Sequence, residues 1–332
     1  HCFVSKFLAP AKESNPRVVT VIGGPHASTA PERCLAEGWD FVVVSDQGGG
    51  GGEPGFIEVL SLVQKRRPSS ISGPKRLPML AAASVGSDPC QAAPSANERI
   101  IRVPSRDPKA AKGRFDYSND RFPFPARDLI DFPSYRYELD GRRFASIVTQ
   151  AGCVYRCSFC AHSEGYTKLV LRSPEHVRAE IREMMAAYPY IGGVMLYDDE
   201  VNIRGDLTDL LDVLGEEARR YDLAFRGFFK SGRRYMSRDL FQRFYDAGFR
   251  YLCTGAESAH PDVLRLVGKG ATVEDNTDFI RLCHEVGIKA KVFTQIGLPG
   301  ETAETAETNR RWIMDMAERY GLSDFDVTIT TP

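Results

Sequence analysis

From Phe144 onward the chain alternates short apolar runs with longer amphipathic ones, six times before it stops at Pro332. Strands are read at Phe144–Thr149, Gly193–Tyr197, Ala224–Phe229, Phe249–Thr254, Ile288–Ile296 and Phe325–Thr330. Between them, helices are read at Pro174–Ala187, Leu207–Tyr221, Ser237–Ala247, Val273–Val286 and Ala303–Tyr320. Ser173 before Pro174 supplies a cap and a proline at the first helical position, and Gly248 and Gly287 supply helix stops. Strand, crossover helix, strand is the unit of a parallel sheet. A full eight-fold barrel takes about 250 residues. Six units therefore predict an α/β fold of the partial (βα)6 TIM-like type, with chemistry at the C-terminal ends of its strands.

The first 66 residues read as part of a doubly wound, Rossmann-like α/β domain. Arg17–Ile22 is a strand run ending in Gly23-Gly24-Pro25-His26, Pro31–Glu37 a short helix and Phe41–Val44 a second parallel-type strand. Gly48–Gly52 is a glycine loop and Phe56–Gln64 a helix. Residues 67–143 are rich in proline, serine and alanine and read as a linker, with one strand at Arg99–Val103. The expected organisation is thus 1–66, 67–143 and 144–332.

Eight cysteines are present: Cys2, Cys34, Cys90, Cys153, Cys157, Cys160, Cys253 and Cys283. Their scatter does not fit a disulfide framework, and a reducing cytoplasm is expected. Cys253 and Cys283 fall in apolar patterns and are expected in the core. Cys153, Cys157 and Cys160 follow the first barrel strand at C-x3-C-x2-C spacing. Three thiolates so placed can hold three corners of a [4Fe–4S] cube and leave one iron open to a small molecule. The alternative is a zinc site with His162 as fourth ligand, although no second ligand pair lies downstream. A formal net charge of -1 argues against general nucleic-acid binding. No apolar run approaches the roughly 20 residues of a membrane span.

The cysteine motif resembles that of the radical S-adenosylmethionine (SAM) superfamily, and other strand ends strengthen the likeness. That resemblance implies a [4Fe–4S] cluster on the three cysteines and reductive cleavage of SAM to a 5′-deoxyadenosyl radical. It implies that Phe159 shields the cluster. Tyr197-Asp198-Asp199-Glu200 stands where the family's Gly-Gly-Glu-like element accepts the SAM amino group, so Asp198, Asp199 and Glu200 are the candidates there. Arg226, on the third strand, is a candidate for the SAM carboxylate. Thr254-Gly255-Ala256-Glu257-Ser258 with Gly268-Lys269-Gly270 is similar to the family's GxES…GKG stretch, where Glu257 and Ser258 would meet the ribose and methionyl part. Ile296–Glu301 resembles the adenine-side GxPGE element, with Gly297 and Pro299 in its turn.

A second resemblance covers the first domain. Gly23-Gly24-Pro25-His26-Ala27 after a strand looks like the latter half of the cobalamin-binding domain of class B radical SAM enzymes, which implies cobalamin contacts from Gly23, Gly24, Pro25 and His26. Pro123–Leu129 is similar to the stretch before the cysteine loop in that group. The Asp-x-His-x-x-Gly cobalt-ligand motif is absent from the sequence, and only Glu53 remains of a Gly-Glu-Gly-Glu element near Gly48–Gly52. A chain beginning at His1 and stopping after the sixth strand is expected to be a piece of a longer protein. The resemblance implies a cobalamin-dependent methyltransferase acting on a small molecule at an unactivated carbon or phosphorus, with an electron donor such as flavodoxin or ferredoxin. The alternatives are a cyclase or oxidoreductase of the same group, or a methylthiotransferase on RNA or protein. The last needs three further N-terminal cysteines, for which only Cys2, Cys34 and Cys90 are available.

Overall fold

The structure is a computed structural model and describes residues 8–16, 18–24, 27, 30–45, 52–65, 99–103, 118–121, 123–160 and 169–329. The chain divides into His1–Ala110 and Ala111–Pro332. The stretch read as a linker is shared between the two: it gives a strand to the first unit and packed segments to the second.

The first unit contains α1 (Leu8–Ser14), β1 (Val21–Ile22), α2 (Pro31–Ala36), β2 (Phe41–Ser45), α3 (Gly52–Lys65) and β3 (Ile100–Val103). Its three strands are parallel in the order β1-β2-β3. Alternate residues of β2 feed opposite faces. Val42 and Val44 pack with Leu8, Cys34 and Trp39, while Phe41 and Val43 pack with Val59, Leu62 and Val63. Burial on both faces explains the unbroken apolar run of this strand. Arg99 extends the pairing edge by donating to the carbonyls of Trp39 at 2.6 Å and Asp40 at 3.0 Å. Of the strand expected at Arg17–Ile22, Val21 and Ile22 alone are ladder-paired among the described residues, and Arg17 lies outside them.

The second unit runs β4 (Glu138–Leu139), β5 (Arg142–Ile147), β6 (Gln150–Ala151), β7 (Val170–Leu171), α4 (Pro174–Ala187), β8 (Gly193–Leu196), α5 (Leu207–Tyr221), β9 (Ala224–Phe228), α6 (Arg238–Asp246), β10 (Phe249–Glu257), α7 (Pro261–Val267), α8 (Val273–Val286), β11 (Lys289–Ile296), α9 (Ala303–Tyr320) and β12 (Asp324–Ile329). The sheet order is β12-β11-β10-β9-β8-β5-β4. Five neighbouring pairs are parallel and only the β4–β5 pair is antiparallel. This is a curled, open half-barrel of six parallel strands with helices between them.

Several helix bounds follow from their caps. The Ser173 hydroxyl accepts from the His176 amide at 3.2 Å, opening α4. Thr272 and Asp275 form a reciprocal capping box on α8, and Gly287 closes it at φ 82°. The helices cover one face of the sheet. There Val177, Ile181, Leu210, Leu214, Phe225, Phe229, Phe241, Phe244, Phe249 and Phe279 share one core. Cys283 joins that core and Cys253 is likewise buried. The opposite face lines a lumen, where Phe144, Met195, Ala224, Phe228 and Tyr251 pack together with Leu139. The β4–β5 hairpin and Tyr137, from the stretch read as a linker, close the lower part of that lumen. Among the described residues no helix is long and apolar enough to cross a membrane.

Candidate functional site

The first barrel strand was expected to reach Thr149, but it ends at Ile147. The reason is Asp198. Its carboxylate is buried and accepts the amides of Thr149 at 2.6 Å and Gln150 at 3.1 Å, and the Thr149 hydroxyl as well. The chain is thereby drawn off the sheet into β6, which pairs antiparallel with β7. Of the three neighbouring acids, Asp198 thus serves the backbone that enters the cysteine loop, while Asp199 and Glu200 are half-buried.

Cys153, Cys157 and Cys160 are free and half-buried. A turn from Cys157 to Cys160 is closed by the Cys160 amide on the Cys157 carbonyl at 3.0 Å. The Ser158 amide bonds the Val267 carbonyl at 2.9 Å, fastening the loop to the end of α7. Phe159 packs with Val263, Val267 and Leu298. Its ring therefore joins the cysteine loop to the Gly297–Gly300 turn. Gly268 caps α7 at φ 66°, and a side chain there would meet the Arg156 carbonyl at 3.8 Å. The contact is an ordinary one, so it is the left-handed backbone that calls for a glycine. Among the described residues no three His, Cys, Asp or Glu side chains converge on one ion. A cube instead spreads its thiolates over separate corners. His162 lies outside the described residues.

Charges of both signs flank the loop. Burial pushes the Glu200 carboxyl up to about 7, while Lys269 and Lys230 pull it down. Burial pushes the Cys153 thiol up to about 11, helped by Glu200 and Asp199. Burial also raises Cys157, but Lys269 and Lys230 oppose it there. Carboxylates and buried lysines thus stand together around the cysteines. Lys230 is almost wholly buried, and burial followed by repulsion from Lys269 lowers it to about 8. Its ammonium lies 4.8 Å from the centre of the Tyr155 ring and donates to the Ser231 carbonyl at 3.0 Å. Tyr155 in turn meets the Tyr235 hydroxyl at 2.7 Å.

Glu257 ends β10 at a bulge, where the pairing with β11 shifts between Gly255 and Glu257. Its φ of 62° is uncommon for a residue with a side chain. The Ser258 amide bonds the Ala256 carbonyl at 2.8 Å across it, closing a tight three-residue turn. The turn sends the buried Glu257 carboxylate to Lys269 at 2.8 Å and to the Gln295 amide at 2.6 Å. Bulges and strained backbone of this kind recur beside active sites.

Other expected positions are engaged differently. The Ser258 hydroxyl accepts the His260 amide at 3.1 Å and donates to the Asn309 side-chain oxygen at 3.4 Å, so it caps its own turn. Arg226 lies lower in the lumen, donating to the Cys253 sulfur at 3.1 Å and to the Tyr137 hydroxyl. Lys230, four residues on and just past the strand end, lies beside the cysteines with Lys269. Gly297 donates its amide to the Glu301 carboxylate, and Pro299 sits exposed in the turn over the buried Leu298. In the first unit Gly24 has φ 96° and no atom lies within 4 Å of where its side chain would be. Gly23 precedes it, and Pro25 and His26 lie outside the described residues.

Sequence reasoning missed Lys230, Tyr155, Asn202 and Arg204. The available signal was a lysine at the C-terminal tip of an apolar strand, Phe225-Arg226-Gly227-Phe228-Phe229-Lys230.

Comparison with known proteins agrees with this geometry. An anaerobic magnesium-protoporphyrin IX monomethyl ester cyclase from Rubrivivax gelatinosus is 27% identical over 318 residues, covering 93% of this chain and 52% of that protein. An uncharacterized methyltransferase from Pyrococcus horikoshii is 25% identical over 333 residues, covering 97% and 62%. The solved structure of the radical SAM methyltransferase TsrM from Kitasatospora setae, with cobalamin and a [4Fe-4S] cluster bound, shares the fold at a TM-score of 0.59 and 21% identity. It covers 93% of this chain, which spans 56% of that one. The chain thus spans between half and two thirds of the length of each of these relatives. The profile of the radical SAM superfamily matches residues 147–313. That is half of the chain, and it takes in the three cysteines and the strand tips around them: the protein belongs to the radical SAM superfamily.

Proposed function

We propose that this chain is the core of a cobalamin-dependent radical SAM methyltransferase acting on a small molecule. In this reading Cys153, Cys157 and Cys160 hold a [4Fe–4S] cluster, and SAM lies across the strand tips. The observation that carries it is the cysteine loop fastened to the end of α7 by the Ser158 amide on the Val267 carbonyl, with carboxylates and the buried Lys230 and Lys269 close around it. An α-amino acid presents one ammonium and one carboxylate, and charge-assisted bonds to such groups are the strong ones. Asp199 and Glu200 suit the ammonium. Lys230 suits the carboxylate, in place of Arg226.

Glu257 accepts the ribose hydroxyls, held in place by Lys269 and Gln295. Phe159 covers the loop side, and the backbone at Gly297 and Pro299 lines the adenine end. Ser258 supports the Glu257 turn from below. When bound, the cluster supplies the single electron that cleaves SAM to a 5′-deoxyadenosyl radical; the protein supplies position and exclusion of water. In the first unit, the left-handed Gly24, with open space where a side chain would be, preceded by Gly23 and followed in sequence by Pro25 and His26, suits the approach of a cobalamin tail. An electron donor of the flavodoxin or ferredoxin kind completes the cycle.

The test is anaerobic reconstitution with iron, sulfide and cobalamin, followed by SAM and a reductant. Formation of 5′-deoxyadenosine together with S-adenosylhomocysteine supports the methyltransferase. Deoxyadenosine alone moves the reading to a cyclase or oxidoreductase of the same group. Cys157→Ala is expected to abolish the brown chromophore, and retention of colour and turnover in that variant refutes the cluster assignment.

A further inference from the structure

We propose that Arg204 is a positioning residue that locks both feet of the cysteine loop, so that the cluster ligands start from a fixed base. This rests on the cluster reading above. The loop leaves the barrel through β6 and returns through β7, and each strand has only two residues, paired as Gln150 with Leu171 and Ala151 with Val170. So short a ribbon does not hold itself together in water. Thr149 stands immediately before β6 and Arg172 immediately after β7, and the Arg172 amide bonds the Thr149 carbonyl at 2.8 Å.

One guanidinium reaches both feet. Arg204 donates to the Thr149 hydroxyl at 3.1 Å and carbonyl at 3.4 Å, and to the Arg172 carbonyl at 2.8 Å. It is itself fixed by the Asp206 carboxylate through two bonds, at 2.6 and 2.9 Å. Asp206 occupies the N-cap position of α5 but makes no side-chain capping bond there. Its carboxylate is turned to Arg204 instead. The Arg204 side chain is wholly buried, at 0% exposure. An arginine has five N–H donors in a planar fork, and these five bonds occupy them all. No donor is left for a substrate or cofactor, so Arg204 acts through the ribbon and not by contact. From the other side Asp198 holds the amides of Thr149 and Gln150. Cys153 lies two residues beyond Ala151, and its place therefore follows from this base. A lysine has three donors and no planar fork and cannot serve both feet and Asp206 together.

The experiment compares the wild-type chain with Arg204→Lys, with Arg243→Lys, at a surface ion pair, as control. Amide hydrogen exchange is read with and without the cluster, and cluster release to an iron chelator is timed anaerobically. The Arg204→Lys chain is expected to exchange faster at Gln150, Ala151 and Arg172 while β10 and β11 keep their protection. Its cluster should be lost about 10- to 100-fold faster, the range for removing a group that orients metal ligands. The electron spin resonance spectrum of its reduced cluster with SAM should also change. Unchanged ribbon exchange and release overturn the proposal. So does protection lost equally across the whole barrel, which would make Arg204 a general fold determinant. A wild-type chain that assembles no cluster refutes the functional reading, whereas ribbon exchange in the cluster-free chains still decides the clamp.

Discussion

Asn202 and Lys230 clasp each other at two points: the Lys230 amide donates to the Asn202 side-chain oxygen at 2.8 Å, and the Asn202 side-chain nitrogen donates to the Lys230 carbonyl at 3.1 Å. The loop after β8 thereby fixes the tip of β9. Asn276 does the same one step on, bonding the Ala256 carbonyl at 3.1 Å and the Ser231 hydroxyl at 2.6 Å. Asn309 takes the Ala259 amide beyond the end of β10. A buried amide side chain thus stitches successive strand tips to the elements beside them, and the site sits on those tips.

Asn202→Ala should therefore cost more than an average surface change. It leaves the Lys230 amide and carbonyl without partners in a buried place, a loss of about 1–3 kcal/mol. Denaturant unfolding of the cluster-free chain measures this. A loss below a few tenths would mean that water replaces the amide. Affinity for SAM should fall as well, because the tip that carries Lys230 is released.

Glu257 and Lys269 form a buried ion pair twelve residues apart. Glu257→Gln keeps the shape and strands the Lys269 charge, with an expected loss of about 3–5 kcal/mol. Adding Lys269→Met to it should recover a large part of that stability without restoring SAM cleavage. A double-mutant cycle checks both. If the two single losses simply add, the pair is not coupled.

Much of this was legible in the sequence. Pro174–Ala187, Leu207–Tyr221, Val273–Val286 and Ala303–Tyr320 have the helix bounds that their caps and apolar spacing indicate. The cysteine loop and the Glu257 and Lys269 stretches were found because each is a short run, but nothing in the sequence paired Glu257 with Lys269. Other features lacked any local signal. Asp198, Asp199 and Glu200 are three adjacent acids, and only the backbone direction after β8 decides which one turns to Thr149. Arg204 with Thr149 and Arg172, and Asn202 with Lys230, are partners dozens of residues apart. The β4–β5 hairpin rests on two paired residues from each strand, too few for periodicity to register. Arg226 looked like a ligand because a buried cation on a barrel strand needs a partner; a cysteine and a tyrosine supply it here.

In the first unit, Gly24→Ala places a side chain on a backbone with φ 96°. The expected cost is about 1 kcal/mol or more, because the native conformation no longer suits the residue. Nothing in the protein blocks that side chain, so the folded chain should persist. Cobalamin binding, followed by its visible absorption, should drop by more than the stability loss explains. Equal binding by the variant would remove Gly24 from the cobalamin site.

His176 gives the fold a pH dependence. Its Nδ1 accepts from the Arg172 Nε–H at 3.0 Å, and an arginine never gives up that proton, so this nitrogen must keep its lone pair. Burial, then the Arg172 charge, lowers the imidazole below its ordinary 6.5, although Asp120 and Glu180 pull the other way. Asp120 lies 3.3 Å from the same nitrogen, but its oxygen already accepts the Ser173 amide at 2.8 Å. The folded chain thus binds this proton less readily than the unfolded one. The stabilisation is fully present above pH 6.5 and is lost as pH falls through the lower folded value. Denaturation midpoints of the cluster-free chain should decline with acid in that window. His176→Gln, which can still accept from Arg172, should flatten that part of the profile. An unchanged slope in the variant would assign the acid sensitivity to other groups, and a slope of opposite sign would mean that the Asp120 contact governs the imidazole.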